Sequence, residues 1–139
     1  MADYQFLSQS ENGENTKCIN ILANELLSSA SRTAGVMNNR KCKGVIFIIT
    51  TANKANTPTF TPKILTYDSA GAAITLATFS AISTNATTIL CYYPAVLTGF
   101  SGTEAKVGQL PRDWALTLTY AGTPANDKMD TKVDMLYLS

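Results

Sequence analysis

The sequence predicts an all-β protein: a two-sheet antiparallel β-sandwich, immunoglobulin-like or jelly-roll, with an N-terminal arm. Three observations predict it. Residues 110–120 (LPRDWALTLTY) open with Pro111 and the charged pair Arg112–Asp113 and then alternate strictly, with Trp114, Leu116, Leu118 and Tyr120 on one side and Ala115, Thr117 and Thr119 on the other. That period of two marks a half-buried strand, with the chain's only Trp at its head. Charged residues are 15% of the chain, against about 25% in typical globular proteins. Thr, Ser, Asn and Ala take their place, which suits pleated sheets with neutral faces. Finally, short apolar runs recur between turn signals, enough for about seven or eight strands.

Residues 1–17 are expected to form the arm and 18–139 a single domain. The arm is polar from Ser8 onward, so Tyr4, Phe6 and Leu7 are its candidate anchors, either in the domain or on a neighbour. Over 18–30, Ile19, Leu22, Ala23, Leu26 and Ala30 recur at helical spacing. Residues 26–33 (LLSSASRT) are weak in helix formers, so a strand is expected there. Residues 18–24 read either as strand or as one or two helical turns.

Residues 35–43 contain Asn38 and Asn39 and read as a turn. Residues 43–51 (KGVIFIITT) are continuously apolar and β-branched, as in a central strand covered on both faces. A loop is expected over 52–58 and a strand over 60–67 (FTPKILTY), where Pro62 demands an edge position or a bulge. A turn at 68–71 leads to a strand over 73–82, and a second tight turn at 85–86 to another over 87–93 (TTILCYY). Residues 95–109 form a long connection, of a length that in compact domains tends to be functional. The strand of 110–120, a loop at 122–127 and a closing strand over 132–138 (KVDMLYL) complete the set.

Composition narrows the function. With 139 residues the chain fits one domain, able to bury roughly two-thirds of its unfolded surface without disulfides or metal. The net charge of +1 argues against nucleic acid as the partner. No apolar run approaches the ~20 residues of a membrane-spanning helix. Residues 1–7 contain Asp3 and Gln5 and lack the apolar core of a signal peptide. Cys18, Cys42 and Cys91 are an odd set without CxxC spacing, as expected of free thiols in a reducing compartment. The chain has no His, which removes Ser-His and Cys-His nucleophile pairs and the commonest metal ligand. No phosphate-binding glycine loop is present. We therefore expect no enzyme, no catalytic residue, no cofactor and no metal.

Two clusters leave alternatives open. Asp127, Asp130 and Asp134 lie close in sequence without the spacing of a calcium loop, and read first as charges on an exposed strand. Arg32, Arg40, Lys41, Lys43, Lys54 and Lys63 follow one another with no carboxylate between. They are either solvated strand ends or a docking edge for an acidic surface.

The order LLSSASRTAGVMNN, KGVIFIITT, TPTFTPKILTYD, TTILCYYP and LPRDWALTLTYAG resembles a group of small β-sandwich structural proteins of tailed-bacteriophage virions. The resemblance covers residues 26–139, and Pro62 departs from its β-branched third strand. It implies a non-enzymatic capsid decoration (cement) protein that binds and stabilises the phage head, made in the host cytoplasm. The implied partners are the major capsid protein or other virion proteins, and further copies of this chain, a trimer being favoured. Expected contacts are Tyr4, Phe6 and Leu7 of the arm, Arg40, Lys41 and Lys43 of the basic stretch, and Phe100 of the long connection. The alternatives are a neck, tail or head-fibre component, or a carbohydrate-binding module stacking sugar on Tyr92 or Tyr93.

Overall fold

The computed structural model describes residues 6–7, 19–27, 32–33, 37–122 and 126–139. The strands are β1 (Phe6–Leu7), β2 (Ile19–Leu27), β3 (Arg32–Thr33), β4 (Met37–Asn38), β5 (Gly44–Ala55) and β6 (Thr59–Tyr67). They continue with β7 (Ala73–Thr78), β8 (Thr87–Tyr93), β9 (Glu104–Val107), β10 (Asp113–Ala121) and β11 (Lys128–Leu138). Two sheets result, and the protein is a β-sandwich. In the six-stranded sheet, β11 carries β1 and β2 along one flank and is followed on the other by β5, β8 and β9. In the five-stranded sheet, β10 carries β3 and β4 on one flank and β6, then β7, on the other. Every pairing is antiparallel except β8 with β9.

The alternation in 110–120 becomes the centre of the core. Trp114, Leu116 and Leu118 project from β10 toward Val45, Phe47 and Ile49 of β5 and Val133, Met135 and Tyr137 of β11. Trp114 meets Phe47 at a ring-centroid distance of 5.7 Å and Tyr137 at 6.1 Å, both edge to face, and so joins the two sheets. Each such ring removes its whole apolar surface from water, worth about 1.5–3 kcal/mol. Phe60 and Tyr120 pair at 5.4 Å toward the end of the sandwich.

Several expectations are corrected. Residues 26–33 are not one strand: Leu26 and Leu27 pair with β11, whereas Arg32 and Thr33 pair with β10 in the opposite sheet. Residues 19–24 are strand, because the flank of β11 supplies backbone partners that outweigh their helical spacing. β5 runs on to Ala55, so 52–55 are strand and not loop. Pro62 lies in β6 between β10 and β7 and therefore not on an edge, and the register shift of that pairing falls between Ile64 and Leu65. The position tolerates proline because β7 pairs with β6 only from Lys63 onward, and the Pro62 carbonyl still accepts from Phe79 N at 2.9 Å. Finally, the connection over 95–109 contains the edge strand β9.

Candidate functional site

β5 is apolar on both faces, and the structure shows what covers the outer one. Ile46, Cys91 and Leu138 form a second buried cluster on the outside of the six-stranded sheet, with Ile48, Ile89, Tyr93, Leu97, Phe100 and Leu136 packed around it. The cover is the chain between β8 and β9. It is clamped at its far end, where Thr103 N donates to Ile89 O at 2.8 Å and Ile89 N to Thr103 Oγ1 at 3.0 Å. At its near end Tyr93 Oη donates to Ser139 O at 3.1 Å. A Cβ on Gly102 would push aside the Phe100 ring folded back beside it. Between this loop and β9 lies a cavity of about 320 Å³, lined by Cys91, Leu97, Phe100, Ala105 and Val107 among others. At its rim Val96 is 85% and Val107 63% exposed.

The same end of the sheet gathers most of the expected contacts around Leu138. Phe6 and Leu7 pair with Leu138 and Tyr137 through β1. Lys43 N donates to Leu138 O at 2.8 Å, and Phe100 packs on the cluster that includes Leu138. Arg40, Lys41 and Lys43 are exposed on the bend between β4 and β5. Tyr4 lies outside the described residues.

Residue Asn39, which sequence reasoning took only as a turn residue, holds that bend in place. Its side chain is buried; Nδ2 donates to Cys42 O at 2.8 Å, Leu110 O at 3.2 Å and Pro111 O at 3.4 Å, and Oδ1 accepts from Cys42 N at 2.9 Å. Its backbone N donates to Arg112 O at 2.6 Å. The Asn-Asn turn and the Leu-Pro-Arg segment are thus two halves of one joint.

On the flank away from β2 and β3, no strand among the described residues pairs with the outer edge of β7 or β9, and Ser80 N bonds Glu104 Oε1 at 2.8 Å where the two sheets come together. From Ser69 to Thr103 the sequence has no charged residue. β7 carries Ile74 at 47% and Leu76 at 36% exposure, and a bulge at Leu76 blunts its edge. β9 carries Glu104 and Lys106, paired at 3.4 Å. Glu104 is held below the usual carboxylate range: burial acts against the shift, and the Ser80 hydrogen bonds and Lys106 outweigh it.

The remaining candidates are structural. Asp127 Oδ1 accepts from Thr57 N at 3.0 Å, Asp130 from Asn53 at 2.7 Å, and Asp134 from Asn20 at 2.9 Å. These carboxylates serve three separate contacts. Tyr92 faces the core and Tyr93 is half-buried with its hydroxyl engaged, so neither ring is an exposed platform. Burial pushes the thiols of Cys42 and Cys91 up to about 11, far from reactive thiolates. No protein-family model, curated protein or solved structure matches this chain.

Proposed function

We propose that this protein is a non-enzymatic structural subunit of a bacteriophage particle, most specifically a decoration protein that binds and stabilises the outside of the head. The observation that carries the reading is the convergence at Leu138. β1, the basic bend Arg40–Lys41–Lys43 and the Phe100 loop all come from different parts of the sequence and meet at one end of one sheet. Such an end offers basic side chains beside an apolar loop, the combination that docks on an acidic surface with an apolar centre. Binding there stabilises a shell by mass action and needs no reactive group.

The test is reconstitution on heads that lack the protein. Changing Arg40, Lys41 and Lys43 together to Glu is expected to weaken binding strongly at low salt, where screening is least. Unchanged binding at low salt would remove this end of the sheet as the contact. A neck, tail or head-fibre position remains the second reading, since the same sandwich and the same contact end serve there equally.

A further inference from the structure

We propose that β9 is a self-association edge: two copies of the chain pair antiparallel through β9 about a two-fold axis at Ala105. The first observation is backbone direction. Gly108 N donates to Tyr93 O and Ile89 N to Thr103 Oγ1, and residues along a strand alternate in the side to which their peptide groups point, so Ile89, Cys91 and Tyr93 of β8 turn theirs to β9. In the parallel register of Cys91 with Ala105 and Tyr93 with Val107, the peptide groups of Glu104 and Lys106 therefore bond β8, and those of Ala105 and Val107 turn to the free edge. No described strand occupies that edge.

The second observation is the order of the side chains. In an antiparallel pair centred on Ala105, Glu104 of one copy stands opposite Lys106 of the other, and Lys106 opposite Glu104. Those are the non-hydrogen-bonded positions, where opposing side chains come closest and opposite charges meet directly. The central Ala105 pair, whose peptide groups face outward, is the hydrogen-bonded pair and exchanges two main-chain bonds.

Charge selects a second copy as the occupant. Like charges directly opposite one another are destabilising, whereas Glu-Ala-Lys read against itself in the antiparallel sense matches every charge with its opposite. The short sequence is thus complementary to itself, as a two-fold contact requires. Elsewhere on this flank the 69–103 region brings no charge to oppose the approach, and exposed Val107 gains cover. The contact makes pairs; it is not the threefold contact expected from the family resemblance.

β9 has four residues, short for an interface, since stable complexes bury about 1,600 Å². Pairing is therefore expected to be weak in dilute solution. The test is sedimentation equilibrium of the purified chain over a concentration series, with Lys106→Glu and the charge swap Glu104→Lys/Lys106→Glu, each first checked for an intact melting transition. Lys106→Glu places Glu against Glu twice and should weaken the dimer about tenfold or more. The swap restores both opposite pairs and should recover the dimer to within about threefold. If the swap is destabilised by loss of the Ser80 contact, Ala105→Pro gives the second arm. It removes the outward N–H that the central pair exchanges, is tolerated on an edge strand, leaves Glu104 in place, and should also abolish pairing.

A chain that stays monomeric to the highest concentration overturns the proposal. So does a Lys106→Glu protein that pairs like the parent, a folded swap that fails to recover, or a folded Ala105→Pro protein that still pairs. The outcome is separate from the particle reading: a monomer in solution leaves head binding through the Leu138 end untouched, and absence from particles leaves this pairing untouched.

Discussion

Replacing Asn39 by Ala is expected to unfasten the joint between the β4–β5 bend and the segment leading into β10. The change removes the acceptor for Cys42 N and the donor to the carbonyls of Cys42 and Leu110, at 2.8–3.2 Å in the native protein. Cys42 and Leu110 are 3% and 2% exposed, so these groups are poorly placed to find water. A buried polar group left without a partner costs about 1–3 kcal/mol. Three are at stake, and the exposed neighbours Arg40 and Lys41 admit some solvent, so the net loss should be about 2–4 kcal/mol. The backbone bond from Asn39 N to Arg112 O survives, which keeps the figure from rising further. That loss is a large share of the ~5–15 kcal/mol that holds a domain folded. In urea denaturation it should appear as a lower midpoint at unchanged slope. Asn39→Asp keeps the acceptor but sets a charge against three carbonyls, and should cost at least as much. A loss below about 0.5 kcal/mol for Asn39→Ala would refute the reasoning, because the bend would then be held by its backbone alone.

Three further outcomes are expected. Trp114→Ala empties the contact between the sheets with Phe47 and Tyr137 and should cost about 3–5 kcal/mol; a protein that keeps its stability would mean the sheets do not depend on this ring. Phe100→Ala should cost about 1–2 kcal/mol, less than a fully buried Phe, and should speed alkylation of Cys91 while leaving Cys42 slow. Equal rates for both thiols would show that the loop is not the cover. Burial raises the groups of Cys42 and Cys91 to about 11 and Tyr137 to about 12, all above their ordinary values. The fold therefore favours their neutral forms, and that contribution is fully present below the ordinary thiol value of 9.0 and lost as pH rises through 11. The melting temperature should be insensitive to these groups through neutral pH and fall above about pH 9; a decline beginning near neutrality would contradict their burial.

What could be read from the sequence depended on how local its cause was. Trp114, Leu116 and Leu118 announce their strand because alternation is a property of neighbouring residues, and the structure places all three in the core. The doubly apolar run in β5 announces a second cover but not its identity, since Leu97 and Phe100 arrive from a loop far along the chain. Helical spacing over 19–26 misleads because the flank of β11, more than a hundred residues away, decides the conformation. β9 escapes detection for a different reason: Glu104–Val107 is too short to show a period, and it becomes a strand only by lying beside β8. Likewise Asn39 looks like any turn residue until residues 110–112 fold back onto it. Of the expected contacts, Phe6, Leu7, Lys43 and Phe100 converge through non-local pairings that no window of sequence contains.

The central claim, that the chain is a decoration subunit of a phage head, is tested most directly by counting its copies in purified particles by quantitative mass spectrometry against the major capsid protein. A decoration protein follows the symmetry of the shell and should be present in copies on the order of hundreds. About a dozen or fewer would move it to the neck, tail or head fibre, and its absence from particles would contradict the proposed function outright.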